Sequence, residues 1–253
     1  MNKDSILIID FGSQYTQLIC RRIRELGVFS QIVSCYEMPS YVGMGNIKGV
    51  ILSGGPLSVY DKKAPQFPRE VLKLKVPVLG ICYGAQLIVK YFGGKVKPSK
   101  KREFGRSQLQ IDDHKDLFFS LPSQIVSWMS HSDSIVVFPQ KAQVLARTKN
   151  APYAAFKIPS KKIYGVQFHP EVEHTQNGFQ IISNFVFKIC DCFASWSLED
   201  FIDEEIKSIR KRVKKGRVIC ALSGGVDSSV TAVLVHKAVG SKLKCIFVNN
   251  LSL

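Results

Sequence analysis

A cysteine at the end of an apolar run is the first residue in this chain whose position suggests chemistry. Cys82 follows residues 76–81, which predict a short buried strand, and precedes residues 83–92, whose apolar side chains have helical spacing. Gly80 and Gly84 leave room on either side of this strand-to-helix turn. Because a helix N-terminus favours thiolate over thiol, Cys82 is a candidate nucleophile. A buried, unreactive cysteine would fit the same local sequence.

A histidine and a glutamate two residues apart could complete a catalytic triad. His169 and Glu171 lie in the segment F-H-P-E, directly after a predicted strand over residues 163–168. A base must reach the proton of the nucleophile, and a third group should orient that base. His169 is suited to be the base, and Glu171 is suited to hold its other ring nitrogen. A lone histidine at a strand end is more often structural, but the cysteine upstream favours catalysis.

The segment S-G-G-P, residues 53–56, follows a third predicted strand over residues 49–52. Paired glycines let backbone N–H groups point at a developing oxyanion, and the amides of Gly55 and Tyr83 are the candidates. Taken alone, the segment would be interpreted as a tight turn. With Cys82 and the histidine segment, it predicts acyl transfer from a carbonyl substrate through a thioester.

The elements that must position these residues alternate between strand and helix. Buried strands separated by helices predict a parallel α/β sheet with helices on both faces. Between residues 95 and 158 short strand-like runs follow one another, which predicts an antiparallel extension of that sheet. The predicted strands span residues 5–9, 29–34, 49–52, 76–81, 108–111, 125–129, 136–138, 144–148, 154–158 and 163–168, and the predicted helices span 14–26, 83–92 and 176–190.

Three of these segments together resemble the class I (triad) glutamine amidotransferases: G-I-C-Y-G-A-Q, S-G-G-P and G-V-Q-F-H-P-E. The resemblance implies hydrolysis of glutamine to glutamate and ammonia. It also implies that Cys82 is the nucleophile, His169 the base and Glu171 the residue that orients it. Gln86 and the segment W-M-S-H-S-D, residues 128–133, would then hold the glutamine.

A second unit is expected to begin after residue 195, which divides the chain into domains 1–195 and 196–253. Ser197 caps a predicted helix over residues 198–213, and a strand over residues 218–222 leads into S-G-G-V-D-S-S. A helix over residues 230–239 and a strand over residues 243–248 follow.

The segment S-G-G-V-D-S-S exposes backbone N–H groups at a helix N-terminus, which favours anion binding. It lacks the Gly-Lys-Ser/Thr ending of a Walker loop and resembles the PP-loop of ATP pyrophosphatases. The resemblance implies that these residues grip the phosphates of ATP: Ser223, Gly224, Gly225, Val226, Asp227, Ser228 and Ser229.

A glutaminase followed by a PP-loop unit resembles the GMP synthases, and the segments I-D-F-G-S-Q-Y-T-Q-L-I, R-E-F-G and H-P-E-V-E-H-T strengthen the likeness. That family uses ATP and Mg²⁺ to aminate XMP to GMP with ammonia from glutamine. Roughly fifty residues of the second unit cannot bury a sizeable core, so an incomplete PP-loop unit is expected. Its last strand continues V-N-N-L, residues 248–251, where the family expects Val-Asp and a glycine, which weakens the case for ATP binding.

Three interpretations therefore stay open. The first is a truncated member of the family whose amination is lost, unless a partner chain supplies the XMP site and dimerisation region. The second is a decayed noncatalytic fragment. The third is a stand-alone glutaminase or γ-glutamyl amidase.

Composition limits the other function classes. The net charge of +15 raises the question of nucleic acid, but the basic runs over residues 97–102 and 207–217 are not interleaved with aromatic residues. Anionic small substrates explain the charge better than specific nucleic-acid binding. No apolar stretch approaches the ~20 residues needed to span a bilayer, and no signal peptide is recognisable. Seven cysteines without regular spacing predict a reducing cytoplasm, with no disulfide framework and no metal site.

Overall fold

The computed structural model describes residues 3–37 and 46–247, with residues 100–102 described by their backbone alone. The chain divides into two compact units, Met1–Ser195 and Trp196–Leu253. Each unit is described by itself below. The departure from the family pattern at residues 248–251 lies outside the described residues.

A single sheet of nine described strands organises the first unit, in the order β2-β1-β3-β4-β9-β8-β7-β5-β6. The first five strands in this order run parallel, and each later neighbour is antiparallel. The strands are β1 (Asp4–Asp10), β2 (Phe29–Ser34), β3 (Asn46–Leu52), β4 (Val78–Ile81), β5 (Lys95–Ile111), β6 (Gln124–Val137), β7 (Gln143–Arg147), β8 (Ala155–Ile158) and β9 (Ile163–Val166). This arrangement confirms the predicted parallel α/β sheet with an antiparallel extension.

The parallel strands are apolar throughout because both faces of the sheet are covered. Alternate residues of β1 belong to different cores, with Ile6 and Ile8 on one face and Leu7 and Ile9 on the other. The first core also holds residues of α1 (Thr16–Glu25) and α3 (Gly178–Ser183), whereas the second holds residues of α2 (Tyr83–Tyr91). The helices therefore lie on both faces, as predicted.

Strand β6 differs from the sequence prediction. The predicted strands over residues 125–129 and 136–138 are parts of one continuous strand, and the polar segment between them is not a loop. Burial alternates along β6 through this segment, and the strand pairs with the even longer β5. The polar residues suggested a turn because one face of the strand lines a cleft rather than an apolar core.

The helix predicted over residues 176–190 is also shorter and less regular than expected. It begins at Gly178, where a β-carbon would lie 2.1 Å from the carbonyl oxygen of Pro170. After α3 the chain continues as a π-helical turn over Asn184–Ile189. The buried Asn184 side chain donates hydrogen bonds to the carbonyls of Leu117 and Phe119. Shorter 3-10 turns occupy Arg69–Leu74, Asp116–Phe118, Pro159–Lys161 and Gly240–Lys242.

The second unit contains two helices and a two-stranded parallel sheet: α4 (Leu198–Val213), β10 (Val218–Leu222), α5 (Val226–Val239) and β11 (Leu243–Phe247). The Ser197 hydroxyl accepts a hydrogen bond from the amide of Asp200 at 3.1 Å, the cap that the sequence indicates. Helix α5 starts four residues earlier than predicted, inside the S-G-G-V-D-S-S segment. No helix within the described ranges is long and apolar enough to cross a membrane.

Candidate active site

Cys82 lies at the sharp turn between β4 and α2. Its backbone adopts φ 49° and ψ −103°, a conformation that a residue with a side chain rarely takes. The Cys82 amide donates to the carbonyl of Val166 on the adjacent strand β9 at 2.8 Å. A β-carbon at Gly84 would lie 2.4 Å from the carbonyl oxygen of Leu52, so the turn packs without space to spare. This is the strained geometry of a nucleophile elbow.

His169 and Glu171 form a buried pair just beyond the end of β9. Nδ1 of His169 lies 2.8 Å from Oε1 of Glu171, and both side chains are buried. Two further contacts fix the backbone of His169: its amide donates to the carbonyl of Trp128, and its carbonyl accepts from the hydroxyl of Thr175. The imidazole therefore has one ring nitrogen engaged by a carboxylate.

The electrostatics of the pair depend on two opposing effects. Burial by itself lowers the pKa of His169, because it disfavours the charged imidazolium. The negative charge of Glu171 and the hydrogen bonds with Cys82 and Glu171 outweigh burial, so the pKa lies well above its ordinary value. The shift favours the protonated form of His169 beside the Cys82 sulfur. A protonated imidazole at this position stabilises a thiolate.

Gly55 and Tyr83, the predicted oxyanion residues, lie against each other. A β-carbon at Gly55 would approach the Tyr83 ring to 3.2 Å. The amide of Gly84 donates to the carbonyl of Ser53 at 3.1 Å, which holds the S-G-G-P segment beside the start of α2. Tyr83 is the first residue of α2, and no side chain caps that helix end. The arrangement leaves the two amides as candidates for stabilising an oxyanion.

A cleft of about 310 Å³ opens over Cys82. One wall is the loop after β3, and the opposite wall is the middle of β6. Gln86 lines the cleft and is buried, and its Nε2 donates to the carbonyl of Asp133 at 3.4 Å and to Oε1 of Gln167 at 3.3 Å. The sulfur of Cys82 donates to the carbonyl of Ser130 at 3.6 Å. The lining residues are Gly55, Pro56, Leu57, Ser58, Cys82, Tyr83, Gln86, Phe104, Ser130, His131, Ser132 and Asp133.

The structure adds residues that the sequence did not indicate. The hydroxyl of Tyr60 donates to Oδ1 of Asp133 at 2.6 Å and so joins the two walls of the cleft. The ring of Tyr15 meets the His169 ring edge-on, with centroids 5.1 Å apart. Phe104 extends over the cleft from β5. Tyr60 stands in no pattern that differs from an ordinary loop. Tyr15 and Phe104 lie in the segments I-D-F-G-S-Q-Y-T-Q-L-I and R-E-F-G, which indicated the family but no role for either ring, so only the tertiary contacts reveal their places.

The S-G-G-V-D-S-S segment forms an exposed loop and helix start in the second unit. Gly224 has φ +81°, which favours glycine, and Gly225 caps α5. The hydroxyls of Ser223 and Ser228 lie 3.2 Å apart, and those of Ser228 and Ser229 both donate to the carbonyl of Gly225. Val226 and Asp227 are in the first turn of α5. Backbone amides and hydroxyls are therefore concentrated at one helix N-terminus.

Two family models match different parts of the chain. Residues 7–189 match the family model for glutamine amidotransferase class-I. The chain belongs to this family. The match contains every residue of the cysteine site described above. Residues 216–252 match a different model, the tRNA methyl transferase HUP domain, which includes the S-G-G-V-D-S-S segment.

This chain has curated relatives that carry the same name. It is 50% identical over 249 residues to "GMP synthase [glutamine-hydrolyzing]" of Brachyspira hyodysenteriae, covering 98% of this chain and 48% of that protein. The protein of that name from Bacillus subtilis is 49% identical over 247 residues, with coverages of 98% and 48%. The chain spans about half the length of the curated relatives it matches.

Two solved structures share the fold of this chain. A protein from Thermoplasma acidophilum, described as a candidate subunit of GMP synthase, superposes with a TM-score of 0.65 at 34% identity. The superposition covers 76% of this chain and 96% of that one. A glutamine amidotransferase from Thermotoga maritima shares the fold, with a TM-score of 0.56 at 18% identity over 95% of this chain and 100% of that one.

Proposed function

We propose that the first unit, residues 1–195, hydrolyses glutamine to glutamate and ammonia. The thiolate of Cys82 attacks the side-chain carbonyl carbon of glutamine, and the amides of Gly55 and Tyr83 receive the oxyanion. His169 gives its proton to the departing nitrogen, which leaves as ammonia and a thioester remains. His169 then takes a proton from water as the water attacks the thioester, and glutamate is released.

The observation that carries this proposal is the buried His169–Glu171 pair beside a strained cysteine at the floor of a cleft. Glu171 supplies the charge that keeps His169 protonated while the thiolate forms. Gln86 and the wall over residues 130–133 are placed to hold the rest of the glutamine. Family membership supports the same assignment.

We further propose that the second unit, residues 196–253, is the beginning of a PP-loop domain that serves an XMP-aminating ligase. The relatives named GMP synthase support this step, since they match the whole chain rather than the first unit alone. ATP and XMP would be the substrates, and the ammonia from glutamine would displace AMP to give GMP. All seven cysteines are described and free, which suits the cytoplasmic location that we propose for the reaction.

The residues of the second unit fit a phosphate group. Gly224 adopts a positive φ, and the hydroxyls of Ser223, Ser228 and Ser229 converge near the open N-terminus of α5. Within the described residues there is no group of three or more His, Cys, Asp or Glu that could hold a metal. Mg²⁺ would accompany the phosphates of the nucleotide.

The test is glutamate release from glutamine by the wild-type chain and by Cys82→Ala, each with and without XMP and ATP-Mg²⁺. We expect release that depends on Cys82. Stimulation by XMP and ATP would support the ligase assignment, whereas insensitivity to both would leave a glutaminase alone. Equal release by Cys82→Ala would overturn the nucleophile. Faster release from longer γ-glutamyl compounds than from glutamine would favour the γ-glutamyl amidase instead.

A further inference from the structure

A buried carboxylate lies behind the wall of the cleft and has no part in the reaction above. Glu103 on β5 is buried, and it is the direct cross-strand partner of His131 on β6. The next pair in the ladder, Phe104 and Ser130, consists of two residues that line the cleft. Glu103 is therefore one residue away from the surface that would contact glutamine.

The carboxylate of Glu103 gathers partners from three parts of the unit. Thr148, in the turn after β7, donates to both carboxylate oxygens, at 3.0 and 3.3 Å. Ser107 donates from the same strand at 3.2 Å. Nε2 of His131 lies 3.5 Å from Oε2, which is longer than an ordinary hydrogen bond. A buried carboxylate is costly unless it has such partners, so the position is built for a charge.

Glu103 lies at the position in β5 where regular pairing with β6 resumes. The pairing of β5 with β6 is irregular between Pro98 and Glu103, and regular pairing resumes at Glu103 with His131. A shift of one residue in strand register would turn Phe104 and Ser130 away from the cleft. Glu103 therefore lies where regular pairing with β6 resumes, directly beside the Phe104–Ser130 pair that lines the cleft.

His131 also contacts a second, smaller cavity next to the cleft wall. His131 lines both the cleft and a smaller cavity of about 10 Å³, which Gln167 also lines. Among the described residues, neither ring nitrogen of His131 has a hydrogen-bond partner of normal geometry, and the same holds for Nε2 of Gln167. A polar cavity of this size is large enough for one water molecule. Oε1 of Gln167 accepts from Gln86, so this side of His131 adjoins the predicted glutamine-binding side chain.

We infer that Glu103 is a positioning residue for glutamine. As the cross-strand partner of His131, and anchored by the hydroxyls of Thr148 and Ser107, it holds the β6 wall, and hence the carbonyls of Ser130 and Asp133, in place beside Cys82 and Gln86. The inference rests on the proposed glutaminase function and deepens it. In this inference Glu103 positions the substrate-binding wall, whereas Cys82, His169 and Glu171 carry out the reaction. Its loss should weaken substrate binding more than it slows the chemical step.

The test uses an L-glutamine analogue whose side chain ends in a chloroketone. The thiolate of Cys82 attacks the carbon that bears chlorine, a C–S bond forms and chloride leaves, so labelling reports both binding and reactivity. In Glu103→Gln the carboxylate charge is lost at nearly constant shape. We expect the half-saturating concentration to rise about tenfold, from the loss of one charge-assisted contact, while the limiting rate changes less than about twofold. Labelling by the small reagent iodoacetamide should change equally little.

A matched control separates positioning from general stability. Asn184→Ala removes a buried hydrogen-bonding side chain that does not line the cleft. It should lower the unfolding temperature and leave the half-saturating concentration unchanged. If Glu103→Gln behaves in the same way as this control, Glu103 is only structural and the inference is wrong.

A second variant keeps the test informative if Glu103→Gln does not fold. His131→Gln breaks the same contact from β6, and the inference predicts a similar rise in the half-saturating concentration. Where both single variants fold, their effects in the double variant should be less than additive, because one contact is lost in each case. Full additivity would contradict the inference. A wild-type chain whose labelling does not saturate and is not slowed by glutamine would instead overturn the proposed function, and this inference with it.

Discussion

Replacement of Glu171 by glutamine tests the electrostatic basis of the proposed reaction most directly. The change leaves an oxygen that can still accept from Nδ1 of His169, but it removes the charge that lies 2.8 Å away. Both side chains are buried, so solvent screens this interaction little. A buried charge-assisted hydrogen bond contributes about 1.5–3 kcal/mol, so kcat should fall roughly tenfold to a hundredfold.

The pH dependence gives the sharper result. Without Glu171, burial dominates and the pKa of His169 falls. In the wild type the protonated imidazole is lost as the pH rises through the raised pKa of His169. In Glu171→Gln the same loss should occur at lower pH, so the alkaline limb of the activity profile moves toward acid.

Stability should follow the same sign. Because the pKa of His169 is higher in the folded state than in the unfolded state, protonation of His169 stabilises the fold. This stabilisation is complete when the pH is below the unfolded-state pKa, near 6.5, and disappears as the pH rises through the folded-state pKa. The unfolding temperature of Glu171→Gln relative to wild type should therefore improve as the pH is raised from 6 to 10.

The assay is steady-state glutamate release across pH, with thermal unfolding in the same buffers. Glu173→Gln is the matched control: it lies two residues further along, its side chain is 89% exposed, and it is expected to behave as wild type. A Glu171→Gln variant with unchanged kcat and an unmoved alkaline limb would refute the assignment of Glu171 as the source of the His169 charge.

Three further predictions concern other parts of the molecule. Cys82→Gly should have a free energy of unfolding about 1 kcal/mol higher than that of Cys82→Ala, because glycine tolerates φ 49°. Both variants should be inactive, and equal stabilities in urea titration would contradict the backbone strain at this position. Tyr60→Phe removes the 2.6 Å bond to Asp133 and should raise KM for glutamine roughly two- to tenfold, with kcat as the internal control. Limited trypsin digestion should cut within residues 196–247 first, because α4 buries no residue and Ile219 on β10 is 70% exposed; cleavage starting in the first unit would be the opposite result.

The candidate nucleophile Cys82 and the candidate base His169 were accessible to sequence reasoning because each follows a largely apolar run. Cys82 follows β4 and His169 follows β9, and the ends of neighbouring parallel strands meet at one edge of a sheet. Turn residues beside them, such as Gly84, also carry a local signal. Composition and periodicity were therefore sufficient for the fold class and for the placement of these positions at strand ends.

The cleft wall over residues 130–133 was indicated only by the resemblance of the segment W-M-S-H-S-D to the amidotransferase family, and not by periodicity. These polar residues lie in the middle of β6, where exposed and buried side chains alternate and where His131 pairs with the buried Glu103. Tyr60 meets Asp133 across 73 residues of sequence, and Thr148 meets Glu103 across 45. No local period encodes such contacts. The start of α5 was also placed too late, because the glycine and serine residues that precede it suggested a longer loop.

The adjacency of β4 and β9 has a consequence for how the molecule folds. These strands are hydrogen-bonded neighbours, with Gly80 opposite Gly165, yet the chain between them forms the whole antiparallel extension. Contacts between residues so distant in sequence form late in folding, because the chain must lose the entropy of the long loop before the contact can stabilise it. We expect the Cys82 amide to meet the Val166 carbonyl only after β5–β8 have formed. In refolding experiments, the hydrogen-exchange protection of β5 and β6 should therefore precede the recovery of enzymatic activity.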